Sequence, residues 1–262
     1  MGFDPKKLLS SKLTGNFVWN AGSMVIAGFS GILMNLIILG FRGEGALGIF
    51  NQSMSFFVIV SQLSVFGIQF SVLKQCSWNQ NDLEECRRRA LAGLVLVSLI
   101  SAACAGGLAL ASNGIGVVMK SSHVATGVLC ICPGLFFYSL NKVLFMTVNG
   151  LNHMRAFAIF NATRFAIYLL AITAFIISGT DSVMLPLSLT IGECALFLFL
   201  LIYLQIKVFP LRVRFGSDGF ISLCAKHFSF GARGCLSGLL IEANTRTDII
   251  MLGIFCSDAT VG

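Results

Sequence analysis

The chain has 262 residues, of which 56% are hydrophobic and only 11% are charged, and its formal net charge is +7. Soluble domains carry about 25% charged residues, so this composition excludes an ordinary soluble enzyme or binding domain and favours a polytopic membrane protein. The basic residues fall in short loops between apolar runs, which is the pattern of membrane topology signals, so we expect a lipid bilayer as partner and no nucleic acid.

Seven apolar runs follow one another along the chain, and each is long enough to cross a bilayer as a helix. The predicted spans lie at about 16–41, 49–73, 90–111, 124–148, 156–178, 183–206 and 228–255. A basic stretch precedes them and is either a short interfacial helix or a solvated leader. A longer loop separates the sixth span from the seventh.

We therefore predict an all-α polytopic membrane protein with a six-helix first lobe and the first helix of a truncated second lobe. The predicted divisions are a cytoplasmic interfacial leader (1–15), the first lobe (16–206), a cytoplasmic inter-lobe loop (207–226) and the first span of an incomplete second lobe (227–262).

The distribution of Lys and Arg predicts the orientation. Only Arg42 and Lys120 fall in loops on the side opposite the N-terminus. Twelve basic residues fall on the N-terminal side, namely Lys6, Lys7, Lys12, Lys74, Arg87, Arg88, Arg89, Arg155, Lys207, Arg212, Arg214 and Lys226. The positive-inside rule then places the N-terminus in the cytoplasm.

The fourth span contains Pro133, followed by Gly134. Proline removes a hydrogen bond from the helix and bends it. Inside a membrane such a break is tolerated where a neighbouring helix or water satisfies the backbone.

The end of the first span resembles the end of the seventh. Each has a Leu-Gly pair near an aromatic residue and then a small-residue turn that ends in glycine. The two stretches are Ile38-Leu39-Gly40-Phe41 with Gly45-Ala46-Leu47-Gly48, and Met251-Leu252-Gly253-Ile254-Phe255 with Ala259-Thr260-Val261-Gly262. Duplicated halves are typical of secondary transporters, so we predict an internal repeat whose second copy begins with the seventh span.

Three cations are predicted at similar depth in the inner half of the membrane: Lys142, Arg164 and Arg233. Such a cluster suits a pyrophosphate or an acidic sugar, since Arg matches phosphate oxygens with a forked set of donors. The alternative is that each side chain bends to the interface and has no role in binding.

Three acids and a further cation also lie within predicted spans. Glu193 has no partner close in sequence and is the best candidate for a proton-linked or ion-linked acid. Glu242 and Arg246 are four residues apart, in the favourable order for a helical pair. Asp248 points away from Arg246 on a regular helix and is a second candidate for binding a coupling ion, with Glu242 a third.

The nine cysteines and three histidines show no spacing typical of a metal site. His123, His153 and His227 are predicted in loops without a cluster. We expect neither a metal nor a cofactor.

Several short stretches resemble the polysaccharide flippases of the multidrug/oligosaccharidyl-lipid/polysaccharide (MOP) exporter superfamily, including the O-antigen exporters. They are Asn16-Phe17-x-Trp19-Asn20, the Gly40–Gly48 turn, Ile49-Phe50-Asn51, Arg246-x-Asp248-x-x-x-Leu252-Gly253 and Val261-Gly262. Members of the family have 12–14 spans in two pseudo-symmetric lobes, and this chain departs from the pattern by stopping about half way.

The resemblance implies export of an undecaprenyl-pyrophosphate-linked oligosaccharide across the bacterial inner membrane by alternating access, for surface polysaccharide synthesis. Lys142, Arg164, Arg233 and Arg246 are then the predicted substrate-binding residues, and Glu193, Glu242 and Asp248 the predicted ion-coupling residues. Three alternatives stay open: a cation or drug antiporter of the same superfamily, a membrane-embedded transferase or polymerase, and a non-functional truncated fragment. We expect the chain not to be an enzyme, because its loops are short and hold no acidic metal cluster.

Overall fold

The computed structural model describes residues 12–209 and 219–262, so most of the predicted leader and residues 210–218 of the predicted inter-lobe loop lie outside the described residues. Where the structure describes the chain, it is almost entirely helical. The elements in order are α1 (Lys12–Val65), α2 (Ile68–Trp78), α3 (Leu83–Val118), α4 (Ser122–Gly150), α5 (Met154–Ile177), a 3₁₀ turn (Ser182–Met184), α6 (Leu187–Lys207), α7 (Phe220–Phe255) and α8 (Asp258–Val261).

Helix α1 holds two of the predicted spans. Its 54 residues measure about 80 Å at the helical rise, more than twice the thickness of a hydrocarbon core. The backbone breaks at Gly43, where φ is 81° and ψ is 178°, a conformation that is essentially restricted to glycine. The second span then breaks again at Phe66 and Gly67, with φ of 52° and 71°, and continues as α2.

Five helices in the described chain, α1 and α3 to α6 (the last with the preceding 3₁₀ turn), are long and apolar enough to cross a membrane. Because α1 contains two of the predicted spans, these five helices account for six of them. The seventh is α7, which is 36 residues long but is not among the five, since polar and charged residues interrupt its apolar sequence. The helices also extend beyond several predicted boundaries, and α7 begins at Phe220 rather than near residue 228.

Helix α4 is the central element of the bundle. In its most apolar stretch 61% of the residues are buried, against 11% for α1 and for α5. The core around it includes Phe50 of α1, Ile131 and Leu135 of α4, and Leu189 of the neighbouring α6. Polar side chains on α4 are therefore held in a packed environment rather than against lipid.

The bend at Pro133 is satisfied by a side chain from α6. The hydroxyl of Thr190 accepts a hydrogen bond from Gly134 N at 3.0 Å and donates one to Cys130 O at 2.6 Å. A side chain at Gly134 would collide with the Thr190 backbone, because its Cβ would lie 2.8 Å from Thr190 Cα. The expected repair of a proline break by a neighbouring helix is therefore confirmed, and it fixes α6 closely against α4.

Loops predicted on the cytoplasmic side meet at one end of the bundle. Asn16 donates to Asn152 Oδ1 at 3.2 Å, and Gln80 donates to Gly150 O at 2.9 Å. His227 lies 3.1 Å from Arg89 O. Successive helices therefore begin and end at alternate ends of the bundle, in the order that the predicted spans require.

The prediction that His227 lies in a loop is wrong. His227 belongs to α7 and is fully buried, with Nδ1 2.9 Å from Ser71 Oγ and Nε2 3.1 Å from Arg89 O. Its ring joins α7 to α2 and α3. The apolar pattern missed it because the helix starts before the apolar run does.

Two glycine contacts bring α7 and the segment after it against α1. A Cβ on Gly231 would lie 2.2 Å from Phe66 O, and one on Gly67 would lie 2.9 Å from Gly231 O, so α7 crosses the break after α1 in backbone contact. The ring of Phe66 stacks on Phe228 beside this crossing, with centroids 5.0 Å apart.

The segment after α7, which contains α8, meets α1 just after the Gly43 break in a reciprocal contact. A Cβ on Gly48 would lie 1.8 Å from Asp258 O, and a Cβ on Gly262 would lie 2.0 Å from Glu44 O. The same sequence spacing separates Gly48 from Gly262 and Glu44 from Asp258. The two ends that the predicted repeat aligns therefore touch each other through equivalent positions.

Candidate functional site

The candidate site is a buried carboxylate with its partners, at the meeting of α4, α5 and α6. Glu193 of α6 is completely buried. Its Oε1 accepts from the hydroxyl of Tyr168, and its Oε2 accepts from Nδ2 of Asn141 at 2.7 Å. Both neutral partners are buried as well, so polar groups of neighbouring helices enclose the carboxylate.

Arg164 supplies the opposite charge. Its Nε lies 2.9 Å from Glu193 Oε1, and one terminal nitrogen donates to Glu193 Oε2 at 3.4 Å. The Nε nitrogen is at ion-pair distance from Glu193 Oε1, but its N–H makes no hydrogen bond with any described residue. The N–H bond does not point at that oxygen. The pair is therefore close and electrostatic, but it does not use all the donors of the guanidinium.

Aromatic rings support the two cations of the site. The guanidinium of Arg164 lies over Tyr138 at 4.9 Å and over Phe145 at 4.8 Å. Lys142 Nζ lies 4.8 Å from the centroid of the same Tyr138 ring. One tyrosine thus has two cations near it, each in the range in which the ring quadrupole attracts a positive charge.

Lys142 has little else to bond. Its Nζ lies 3.4 Å from Ser61 Oγ of α1, and that hydroxyl gives its own proton to Val58 O at 2.7 Å. No carboxylate pairs with Lys142 in the described part of the chain. An ammonium has three donors, so this half-buried cation retains donor capacity.

Helical spacing in the sequence builds this arrangement. On α4, Asn141 and Lys142 follow Tyr138 by three and four residues, so both lie on the same face as Tyr138. Arg164 and Tyr168 are four apart on α5. Against them α6 presents Glu193 and, next to it, Gly192, whose Cβ would lie 2.4 Å from the Tyr168 ring.

A charged pair at this depth depends strongly on both partners. An isolated ionised carboxylate in a protein interior loses its hydration, and removing one partner from a buried pair costs about 3–5 kcal/mol. With Tyr168, Asn141 and Arg164 around it, Glu193 has acceptor positions filled on both oxygens. The site is therefore preorganised rather than assembled by a ligand.

The structure brings together three of the predicted site residues, Lys142, Arg164 and Glu193. It also gives Glu193 the partner that its own sequence neighbourhood lacks. Arg233, which was predicted to join these cations, makes none of the contacts of the site in the described part of the chain. Arg233 lies on an exposed groove of α7, among Ser222, Lys226, Ser229 and Phe230.

The remaining three predicted residues are on the second half of α7. Glu242 accepts from Nε2 of Gln62 of α1 at 3.0 Å, and the expected ion pair between Glu242 and Arg246 does not occur in the structure as described. Arg246 is half-buried, while Asp248 is exposed and accepts from the neighbouring Ile249 N at 2.9 Å. Glu242 thus has its partner on another helix rather than one turn further along its own.

Sequence reasoning missed the neutral members of the site: Tyr138, Asn141 and Tyr168. The available signals were Tyr138, Asn141 and Lys142 on one face of α4, and Tyr168 four residues after Arg164 on α5. It also missed Asp258, whose carboxylate accepts from Gln52 at 2.9 Å and from Ser121 at 2.6 Å. That side chain pins the turn after α7 to α1 and to the start of α4.

No family model matches the chain, and no curated protein matches it. Solved structures do. The eukaryotic MATE transporter AtDTX14 superimposes with a TM-score of 0.74 at 15% identity, over 92% of this chain and 56% of its own. The MATE multidrug transporter DinF-BH, solved as a complex, superimposes with a TM-score of 0.72 at 13% identity. That match covers 97% of this chain and 58% of DinF-BH. A MOP superfamily transporter from Pyrococcus furiosus is described as having a binding pocket of reverse polarity. It superimposes with a TM-score of 0.61 at 15% identity, over 99% of this chain and 66% of its own.

These matches establish the fold. The described chain has the helical arrangement of MATE transporters, which are members of the MOP superfamily, and it spans between 56% and 66% of the length of these three solved chains. Together with the five apolar helices, the matches identify a multi-pass membrane protein. At 13–15% identity the likeness concerns fold and does not extend to substrate.

Proposed function

We propose that this chain forms the first lobe, and the first helix of the second, of a MOP-type transporter that moves an anionic lipid-linked cargo by alternating access. The cargo is an oligosaccharide on undecaprenyl pyrophosphate, the membrane is the bacterial inner membrane, and the N-terminus is cytoplasmic. Support for the transporter class comes from the fold, since all three neighbours are described as transporters. An enzymatic role is not proposed.

The charge of the site carries the choice of cargo. Glu193 is matched by Arg164, which leaves Lys142 as the cation without a carboxylate in the cluster. The cluster then has a net charge of one positive unit. A partly exposed cation with unused donors attracts a phosphate group, and it repels an organic cation.

Tyr138 adds a reason for a sugar-phosphate cargo. Its ring is partly exposed beside Lys142 and Arg164. A ring face next to two cations offers an apolar surface and charge-assisted donors in one place. A pyrophosphate that carries a sugar has both an anionic part and a ring to pack.

A drug or cation antiporter is the second candidate, and the comparisons favour it, since DinF-BH is called a multidrug transporter. The neighbour described as having reverse pocket polarity indicates that pocket charge differs among proteins of this fold. Charge at the site is therefore the property that distinguishes the two candidates. On that property Lys142 favours the anionic cargo.

The test measures binding by the purified chain in nanodiscs to undecaprenyl pyrophosphate and to tetraphenylphosphonium. We expect saturable binding of the anionic lipid and at least a tenfold loss of affinity in Lys142→Gln, since a hydrogen bond to a charged group contributes about 1.5–3 kcal/mol. Lys226→Gln is the matched control, because it removes one positive charge from an exposed position of α7.

Three results would decide against the proposal. The chain binds no anionic lipid, as a non-functional fragment would; Lys142→Gln binds as well as the wild type; or tetraphenylphosphonium binds more tightly than the anionic lipid and gains affinity in Lys142→Gln. The last result identifies the cation antiporter.

A further inference from the structure

We infer that Glu193 is a displaceable counter-ion, which pairs with Arg164 when no cargo is bound and releases it to the anionic group of the cargo. This inference rests on the proposed anionic cargo and adds a mechanism to it. The carboxylate and the cargo compete for one guanidinium. The contacts of both partners support the exchange.

Glu193 keeps partners when Arg164 leaves. Tyr168 donates to Oε1 and Asn141 donates to Oε2 at 2.7 Å, and Asn141 also donates to the backbone oxygen of Glu193 at 2.9 Å. Neutral donors therefore remain on both carboxylate oxygens.

Arg164 keeps its position when Glu193 releases it. The guanidinium lies between Tyr138 at 4.9 Å and Phe145 at 4.8 Å, and its Nε–H has no hydrogen bond with a described residue. Lys142 lies 4.8 Å from the same Tyr138 centroid. A phosphate group that enters beside the ring therefore meets two cations with unused donors.

The groups around Glu193 allow this exchange without a second acid. From α5 it faces Arg164 and Tyr168, and from α4 it faces Asn141, with Tyr138 and Lys142 on the far side of Arg164. Among the described residues no other carboxylate contacts Arg164. Glu193 is therefore the one acid that competes with the cargo at this position.

The test uses inorganic pyrophosphate as the probe, with the purified chain in nanodiscs at one fixed pH. In Glu193→Gln the competing charge is gone, and we expect pyrophosphate affinity to rise at least fivefold, in the range of typical coupling between two ligands. If Glu193 served only to position Arg164, the same substitution would lower the affinity. The sign of the change therefore decides.

Tyr168→Phe provides an independent test with the opposite expected sign. It keeps the ring but removes a neutral donor from Glu193, so the carboxylate depends more on Arg164 and pyrophosphate affinity falls severalfold. This variant carries the test if Glu193→Gln is not recovered as a monodisperse protein. Control variants are Tyr203→Phe, on α6 but hydrogen-bonded to His153 at 3.0 Å, and Lys226→Gln.

The outcomes separate this inference from the proposed function. Wild-type binding that is weakened by Lys142→Gln but unchanged or weakened by Glu193→Gln overturns the counter-ion role and leaves the anionic site in place. Absence of pyrophosphate binding in the wild type and in Glu193→Gln overturns both. Tighter binding in Glu193→Gln with weaker binding in Tyr168→Phe is the result that we expect.

Discussion

Helices α6 and α7 both carry charge inside long apolar segments, but the structure treats their charges in opposite ways. The single acid of α6, Glu193, is completely buried and has three side-chain partners. On the second half of α7, Glu242 contacts one amide, Arg246 is half-buried and Asp248 is exposed. Charge inside an apolar segment is therefore satisfied around Glu193 of α6 and has few partners on the second half of α7.

The difference separates Glu193, which neighbouring helices satisfy, from the charges of α7, which have few partners in the described structure. Intramembrane ionisable residues are costly and are usually paired or face a wet cavity. Around Glu193 three helices supply the partners. Along α7 only α1 supplies one to these charges, through Gln62, in the part of the chain that the structure describes, so this face is available to a further element or to a water-filled cavity.

Arg164→Ala is expected to have the largest effect on stability, because it leaves Glu193 enclosed without its cation. We expect a loss of about 3–5 kcal/mol, seen as a lower unfolding midpoint in detergent and a lower yield. The matched substitution on the other helix, Arg246→Ala, removes a half-buried cation that has no ion pair in the described structure. Comparable losses in the two variants would show that the contrast between α6 and α7 has no energetic basis.

Thr190→Val is expected to have a smaller effect. It keeps the shape of the side chain but withdraws the hydroxyl that joins Gly134 N to Cys130 O. Leaving buried backbone groups unpaired costs about 1–3 kcal/mol. The control is Thr163→Val, whose hydroxyl bonds only within its own helix, to Ile159 O at 2.9 Å. Equal unfolding midpoints for the two variants would mean that the α4–α6 contact does not help to enclose Glu193.

Gln62→Ala is expected to have the smallest effect of the three. It removes the amide that contacts Glu242, and an ordinary hydrogen bond contributes about 0.5–1.5 kcal/mol. For a chain of this size the unfolding midpoint should fall by about 2–4 °C per kcal/mol. Gln205→Ala, at an exposed position of α6, is the control and should leave the midpoint unchanged. A loss as large as that of Arg164→Ala would show that α7 is already a fully satisfied part of the fold.

The fold was predictable from the sequence because apolar length and loop charge are local properties. Six predicted spans correspond to the five apolar helices, and the seventh to α7. The limits were the helix ends, as at His227, where a helix continues through polar residues because tertiary partners satisfy them. Hydropathy does not record such partners.

The site was only partly predictable, for the same physical reason. Lys142, Arg164 and Glu193 are visible as charges at membrane depth, but depth alone does not tell which way a helix faces. Arg233 was predicted at the same depth as Lys142 and Arg164, and it lies on an exposed face of α7. The neutral residues Tyr138 and Asn141 select which charges meet, and their role depends on how α4 is rotated against α5 and α6.

The reciprocal contact of Gly48 with Asp258 and of Gly262 with Glu44 has a consequence for the ancestry of the fold. A contact in which each member of a pair touches the counterpart of the other is isologous, the kind by which two identical subunits associate about a two-fold axis. If the repeat arose by duplication, the ancestral unit was able to pair with a second copy of itself through this glycine crossing. In this chain the same crossing joins two segments of one polypeptide, so that Gly48 and Gly262 each leave room for the backbone of the opposite segment.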